Sequence, residues 1–309
     1  MPDEPLDPAQ APPPETESEV VAGKTLAGRA LAAAERVRIL REQIEEARAR
    51  HRSVDIGLAT VERDSEIGGS LLAGALAYRL FVFLLPFAVF LVVGLGVFAD
   101  ATDQSTASVA DDLGLTQVVA REIAGAANDS ARWWVLIASV PILAYAIGQL
   151  FRSVSIVHAL AYEGSGRAVK VKPRSIGLFG LAVVGQVAAS NVAGALSADS
   201  VFGGILGVVF AVSAVAGLWL GVSQLFPHGT STVTERIPGA LLYGVGNLAL
   251  FLFNTLFVGW LIEERQDSYG ALGAAAALLF SMYLIGRLIV TSAVLNATIA
   301  RRAAAARSE

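Results

Sequence analysis

Residues 70–99 read SLLAGALAYRLFVFLLPFAVFLVVGLGVFA, an apolar stretch that contains a single charged side chain, Arg79. This stretch is long enough to cross the ~30 Å hydrocarbon core of a bilayer as one α-helix. Five further apolar stretches follow, at about 133–152, 175–198, 201–226, 237–261 and 268–300. All of them are too long and unbroken for barrel strands, and a helix satisfies its backbone polar groups internally. The sequence therefore predicts an all-α, polytopic membrane protein with six transmembrane helices.

The composition of the whole chain agrees with a membrane location. Of its 309 residues, 54% are hydrophobic and only 16% are charged, whereas soluble domains average ~25% charged residues. Residues 1–69 hold 23 of the 50 charged side chains, which leaves too few in the remainder to cover a water-exposed surface. The absence of cysteine excludes a disulfide scaffold and thiolate chemistry. The net charge of −4 argues against a nucleic-acid partner.

The N-terminal region before the first span divides into two parts. Residues 1–19 are rich in proline and acidic side chains and predict a disordered tail. Residues 20–69 predict a cytoplasmic segment with an amphipathic helix over 24–52, in which apolar residues recur at spacings of three and four. This helix either lies on anionic lipid or packs against the bundle or a second copy of the chain, and its many glutamates favour packing. The remaining domains are a six-helix transmembrane domain at 70–300 and a cytoplasmic tail at 301–309.

The distribution of basic residues predicts the orientation in the membrane. The N-terminal region, alternate loops and the C-terminal tail hold 18 Lys and Arg residues, and the opposite loops hold 3. The positive-inside rule therefore places both termini in the cytoplasm. The loop at 100–132 is then external, and it predicts a solvated acidic segment with a short helix at 115–127.

Four short motifs resemble those of the YihY/BrkB family of bacterial inner-membrane proteins, in the same order and at compatible spacing. They are Ala75-Leu76-Ala77-Tyr78 with Pro86, Pro238-Gly239-Ala240-Leu241, Tyr269-Gly270-Ala271-Leu272-Gly273, and Ser292-Ala293-Val294-Leu295-Asn296-Ala297. The resemblance implies a six-span fold in the inner membrane and a role in transport or in handling envelope lipids. This chain departs from the family pattern at Arg79, Phe83 and Val294, which stand where the family often has an aromatic residue, a serine and an acid.

The family once carried a ribonuclease label, and the residues of this chain do not favour such an activity. Metal-dependent phosphodiester cleavage needs clustered carboxylates or histidines. The three histidines, His51, His158 and His228, have no second ligand at the required spacing, and no predicted span contains an internal Asp or Glu. We therefore expect no catalytic residues, no metal and no cofactor, and a protein that is not an enzyme.

Polar side chains inside the predicted spans are the remaining candidates for a site, because such residues are costly in lipid. The candidate substrate-binding residues are Tyr78, Arg79, Tyr145, Gln149, Arg152, Gln186, Asn191, Asn247, Tyr283 and Arg287. Several of them share a helical face at spacings of three or four. The alternative for the uncharged ones is hydrogen bonding between helices, worth about 0.6–2 kcal/mol per contact.

Arg79 and Arg287 are the two full charges deep in the predicted spans, and no span offers an acid to neutralise them. Their guanidinium groups suit a phosphate or carboxylate headgroup. We therefore expect both arginines to attract an anionic headgroup into one shared polar cavity that faces the cytoplasm. A structural role, in which Tyr, Asn and Gln side chains bond both arginines around a small wet pocket, is the open alternative.

The sequence thus predicts a cytoplasmic-membrane protein that binds or translocates an anionic amphipathic, lipid-like substrate through a polar intramembrane cavity. The alternative function is a non-catalytic envelope scaffold. The expected partners are membrane lipids, an anionic lipid or lipid-linked substrate, and a second copy of the chain. The copy would pack on the fourth span through the small-residue pairs Gly203/Gly207 and Gly217/Gly221.

Overall fold

A computed structural model describes residues 35–36, 38–39, 42–101, 132–163, 172–197, 201–254 and 259–308. Some of these are described by backbone alone, including 95–101, 190–191, 193–197 and 259–274. The tail expected at 1–19, about half of the helix expected at 24–52 and nearly all of the acidic loop, with its helix at 115–127, lie outside the described residues.

All regular secondary structure in the described part of the chain is helical, which confirms the all-α class. The helices are α1 (Arg52–Glu66), α2 (Gly69–Ala101), α3 (Arg132–Glu163), α4 (Pro173–Ser197), α5 (Val201–Ser223), α6 (Val233–Phe253) and α7 (Gly259–Ser308). The last of these continues through most of the tail expected at 301–309.

Five helices contain segments that are long and apolar enough to cross a membrane. The segments are Gly69–Phe90, Ile137–Glu163, Phe202–Ser223, Val233–Phe253 and Ala275–Ser308. Helix α4, which corresponds to the predicted third span, is not among them. The count of six spans therefore stays a prediction.

The chain separates into two compact units, residues 1–58 and 59–309. In the first unit, residues 42–50 are helical. Two ion pairs accompany this helical segment: Arg50 bonds Glu46 at 2.6 Å between exposed side chains, and Arg48 bonds Asp55 at 2.7 Å between half-buried ones. The exposed pair contributes little to stability.

In the second unit, helices α2 to α7 close into a ring. Helix α2 packs on α3 and α7, and the chain then packs in order from α3 through α4, α5 and α6 to α7. The core inside the ring is formed by fully buried apolar side chains such as Leu76, Phe151, Val154, Val290 and Val294. Large apolar side chains also cover the outside of the ring, as with Phe202, which is 75% exposed. An apolar exterior is what a lipid environment requires.

A set of buried polar contacts joins α5, α6 and α7, and we call it the inner seam (Trp219, Gly239, Tyr243, Ser292 and Asn296). The Trp219 indole N–H donates to the Ser292 hydroxyl at 2.9 Å, and the Trp219 ring stacks on Tyr243 at 4.2 Å. The backbone N–H of Gly239 donates to the Asn296 side-chain oxygen at 2.8 Å. A Cβ at Gly239 would collide with the Asn296 side chain, so only glycine permits this contact.

Candidate functional site

Five of the predicted site residues lie together on the outside of α2 and α3, and we call them the outer stripe (Tyr78, Arg79, Tyr145, Gln149 and Arg152). The Arg79 guanidinium donates to the Gln149 side-chain oxygen at 3.0 Å and so links the two helices. Tyr145, Gln149 and Arg152 follow each other at spacings of four and three, which places them on one face of α3. Tyr78 is 63% exposed and Tyr145 is 69% exposed. Arg79 and Arg152 are exposed as well.

The outer stripe lies within an otherwise apolar surface. Val82 on α2 and Ile142 on α3, each about one helical turn from the stripe, are exposed apolar side chains. Among the described residues, Arg79 donates to the uncharged amide of Gln149 and pairs with no carboxylate. Arg79 therefore carries an exposed charge that its protein neighbour does not neutralise.

A cavity of about 360 Å³ lies inside the ring, directly behind the outer stripe. Its wall includes Leu80 and Leu150, which immediately follow Arg79 and Gln149 in the chain. The rest of the wall is mainly aliphatic and aromatic, with polar atoms supplied by Gln186, Trp219 and Tyr243. The wall of this cavity is mainly apolar, and neither Arg79 nor Arg287 contributes to it. The polar cavity expected to be shared by both arginines stays a prediction.

An amide pair marks one wall of this cavity. The Gln186 amide nitrogen donates to the Asn247 side-chain oxygen at 3.1 Å, and Gln186 also hydrogen-bonds Tyr243. The two amide groups therefore bond one another between α4 and α6. This is the hydrogen bonding between helices that the sequence left open as the alternative to substrate binding.

Arg287 has an acidic partner, contrary to the expectation that neither arginine would have one. Its two terminal nitrogens donate to the two carboxylate oxygens of Asp64 at 2.8 and 2.7 Å. Asp64 lies outside the spans, near the end of α1, where it could not be found by searching the spans for acids. Gly68 adopts a left-handed φ of 67°, which turns the chain between α1 and α2, and a Cβ at Gly69 would collide with the Asp64 carboxylate. The Gly68-Gly69 pair was the available signal in the sequence for a tight turn that brings Asp64 to the bundle.

The end of α3 shows a second feature that sequence reasoning missed. Arg63 donates to the backbone oxygen of Leu160 at 2.9 Å, and Arg301 donates to that of Ala161 at 2.6 Å. The last carbonyls of a helix have no partner within it. Two arginines from α1 and α7 therefore cap α3 and fix its end between them.

The two remaining predicted residues lie apart from the outer stripe. Tyr283 is half-buried, packs against the core and lies one turn from Arg287 on α7. The side chain of Asn191 lies outside the described residues. The described part of the chain also contains no group of three or more His, Asp or Glu side chains that could hold a metal ion.

The family model of Virulence factor BrkB matches residues 60–309. The chain belongs to the Virulence factor BrkB family. The match covers the helical ring, and it confirms the resemblance seen in the sequence motifs. Two of those motifs meet in the structure, since Gly239 of the Pro-Gly-Ala motif bonds Asn296 of the last motif. With the family and the apolar helices, this is an integral membrane protein.

In this BrkB-family chain, Val294 is fully buried in the core. The position where the resembled pattern often has an acid is therefore filled by an apolar side chain that packs inside the ring. No curated protein and no solved structure matches the chain.

Proposed function

We propose that this BrkB-family protein binds an anionic amphipathic lipid at the outer stripe and moves it along the α2–α3 face. The observation that carries the proposal is an exposed arginine, Arg79, that has an amide partner and sits beside an apolar cavity. The lipid headgroup would contact Arg79 and Arg152, and a hydrocarbon chain would lie against the cavity wall.

The charge of the outer stripe supports an anionic headgroup. A guanidinium presents two parallel donors that match a phosphate or carboxylate, and the bond is stronger where water is scarce. Arg79 already holds the Gln149 oxygen, which orients its fork and leaves its other donors for a ligand. Arg152 lies one turn further along α3 and provides a second cation on the same face.

The size and lining of the cavity support a hydrocarbon chain. A cavity of about 150 Å³ lined by Leu, Ile and Phe stays dry and binds benzene, and this one is about 360 Å³. Its wall of leucine, phenylalanine and valine side chains gives a chain dispersion contacts but few hydrogen bonds. An amphipathic molecule with one charged end and one apolar end fits the combination.

The membrane setting of the proposal keeps the predicted orientation, with both termini in the cytoplasm of the bacterial inner membrane. The sequence contains no phosphate-binding loop of the G-x-x-x-x-G-K-[ST] type. Movement of the lipid would therefore be passive, coupled to an ion gradient or driven by another protein.

The scaffold alternative rests on a different observation. Arg287 is tied to Asp64, so one of the two arginines that suggested a substrate instead joins α1 to α7. In that alternative, the outer stripe would hold a neighbouring membrane protein, and lipid headgroups would have no preference for it.

The experiment compares lipid binding by three single variants in nanodiscs that contain phosphatidylglycerol or phosphatidylcholine. Arg79→Gln and Arg152→Gln remove one charge each from the outer stripe. Arg174→Gln, at an exposed position near the start of α4, is the matched control. Bound lipid is counted by native mass spectrometry, and movement is followed with a fluorescent anionic lipid in proteoliposomes.

We expect Arg79→Gln to weaken binding of the anionic lipid about tenfold, the size of one charge-assisted hydrogen bond. Arg79→Lys should restore part of it, because the charge is kept and the fork is lost. Arg174→Gln should behave as the wild type. Equal retention of phosphatidylglycerol by the wild type, Arg79→Gln and Arg152→Gln would contradict the proposal and favour the scaffold.

A further inference from the structure

Arg236, near the start of α6, is a buried cation whose hydrogen bonding is incomplete. Only 3% of it is exposed, and its Nη1 atom is buried without a hydrogen-bond partner. Its Nε reaches the backbone oxygen of Thr232 at 3.4 Å, a long contact. A buried donor on a charged group is costly to leave unpaired, and native proteins rarely do so. Among the described residues, no acceptor pairs with Nη1.

The carboxylate next to Arg236 is bonded to other donors. Glu235 accepts from Arg307 through one oxygen at 2.7 Å and from the backbone N–H of Thr232 through the other at 2.9 Å. The second bond belongs to a capping box that begins α6. Glu235 thus stabilises the start of the helix and the end of α7 instead of pairing with the guanidinium of Arg236.

The hydroxyl groups around Arg236 are bonded to one another and to the backbone. The Tyr162 hydroxyl on α3 is bonded to Ser231, and the Ser231 hydroxyl donates to the backbone oxygen of His228 at 2.8 Å. This chain of bonds ties the turn between α5 and α6 to α3. Among the described residues, Nη1 of Arg236 is bonded to neither of these two hydroxyls.

Two histidines lie in the electrostatic field of Arg236. His158, on α3, is buried, and its ring packs on Phe226 at 4.7 Å. Both His158 and His228 interact electrostatically with the Arg236 charge. Burial and, after it, the nearby Arg236 lower the pKa of His228, so this imidazole is largely uncharged at neutral pH. Glu235 offsets part of the Arg236 charge electrostatically, but its carboxylate does not bond the buried Nη1 donor.

We propose that Arg236 and His228 form a binding site for a phosphate-class oxyanion at the α5–α6 turn. One oxygen of the anion would accept from Nη1 of Arg236 and another from the ring N–H of His228. The anion would enter past Gly229 and Thr230, which are exposed on the turn. The ligand is inorganic phosphate, a phosphate monoester or the phosphate of a lipid headgroup. This site is separate from the outer stripe and does not depend on the function proposed for that surface.

The first arm of the test uses free phosphate with the purified full chain in an uncharged detergent. Thermal melting is followed as inorganic phosphate is added, with chloride at equal ionic strength as the reference. We expect phosphate to raise Tm and chloride to leave it unchanged, because a ligand that binds the folded state stabilises it. His228→Gln keeps a polar side chain on a half-buried turn and should weaken the phosphate response about tenfold or more.

The second arm presents the same chemistry as a lipid, in nanodiscs that contain phosphatidic acid or phosphatidylcholine. Retention of phosphatidic acid that is lost in His228→Gln, without a response to free phosphate, would identify the lipid headgroup as the source. Arg236→Lys should weaken whichever ligand binds, and its own melting curve shows whether it folds. The control variant Arg174→Gln should bind phosphate and phosphatidic acid as the wild type does. His228→Gln leaves the outer stripe unchanged, so a loss of binding in that variant belongs to this site.

Two results would overturn the proposal. The first is that neither phosphate nor phosphatidic acid binds the wild type in preference to its reference. The second is binding that stays at the wild-type level in both His228→Gln and Arg236→Lys.

Discussion

The outer stripe and the inner seam contain similar side chains in opposite environments. Both have tyrosine and an amide, but the polar groups of the seam are buried and bonded to one another, whereas those of the stripe are largely exposed. Removing a buried partner leaves its mate unsatisfied, which destabilises the fold. Removing an exposed group leaves the fold intact and changes what the surface can bind. The environment of a polar residue, more than its type, separates a structural role from a binding role in this bundle.

The largest effect that this comparison predicts is from Gly239→Ala in the inner seam. The added Cβ would collide with the Asn296 side chain, which is buried and accepts the Gly239 N–H at 2.8 Å. We expect a loss of about 3 kcal/mol in the free energy of unfolding, from overpacking together with a disturbed hydrogen bond. Unfolding by SDS titration measures the change. A variant as stable as the wild type would show that the seam tolerates repacking and would weaken the contrast with the stripe.

A smaller effect is expected at the Asp64–Arg287 pair, which lies between the two environments. The side chain of Asp64 is 13% exposed and that of Arg287 is 37% exposed. Water therefore screens part of the interaction, and Asp64→Asn should cost about 1–2 kcal/mol. Glu66→Gln is the matched control in the same helix, since Glu66 forms an exposed pair with Arg63 and should matter little.

A double-mutant cycle decides whether the Asp64–Arg287 pair acts as a unit. If it does, Asp64→Asn combined with Arg287→Gln should cost clearly less than the sum of the two single changes. Simple additivity of the two would mean that the contact contributes no coupling. It would return Arg287 to the candidates for substrate binding.

A still smaller change in stability is expected at the outer stripe. Arg79→Gln removes an exposed side chain whose bond is to an exposed neighbour, so the free energy of unfolding should stay within about 0.5 kcal/mol of the wild type. The melting curve of this variant should therefore stay close to that of the wild type while its lipid binding is weakened. A drop in stability as large as that of Gly239→Ala, with unchanged lipid binding, would assign Arg79 to the fold.

The fold could be predicted from the sequence further than the site could. The length of the apolar stretches alone located all the long helices, because a segment in lipid must form its backbone hydrogen bonds internally and a helix does so. The number of transmembrane spans could not be established from apolar length alone. Helix α4 is not among the helices that contain a candidate span, and its place in the ring depends on packing against α5.

The sequence could predict which candidate residues share a helical face, but not how the candidates are grouped across helices. Helical spacing placed Tyr145, Gln149 and Arg152 on one face, and spacing is a property of a single helix. Whether Arg287 has an acid depends on a turn at Gly68 that folds α1 back, and contacts across such a turn are not encoded by periodicity. The incomplete bonding of Arg236 was invisible for the same reason, since it requires knowing which groups Glu235 already binds.

The smallest effect expected within one chain is from substitutions at Gly217 and Gly221 of α5. The sequence predicts that these glycines allow a second copy of the chain to approach. Within one chain, a Cβ at either position would meet no atom of the described residues within 4 Å. Gly217→Leu and Gly221→Leu should therefore leave the free energy of unfolding of the single chain within about 0.5 kcal/mol of the wild type. Their effect, if two copies pack here, would be on association alone, because leucine prevents the close approach of two backbones. Fluorescence energy transfer between labelled chains in liposomes, measured over a range of protein-to-lipid ratios, follows that association. Transfer that is lost in the leucine variants but kept in a Gly204→Leu control would place the contact at Gly217 and Gly221. Transfer equal in all the variants would remove this face as an interface and leave it, like the rest of the outer wall, in contact with lipid.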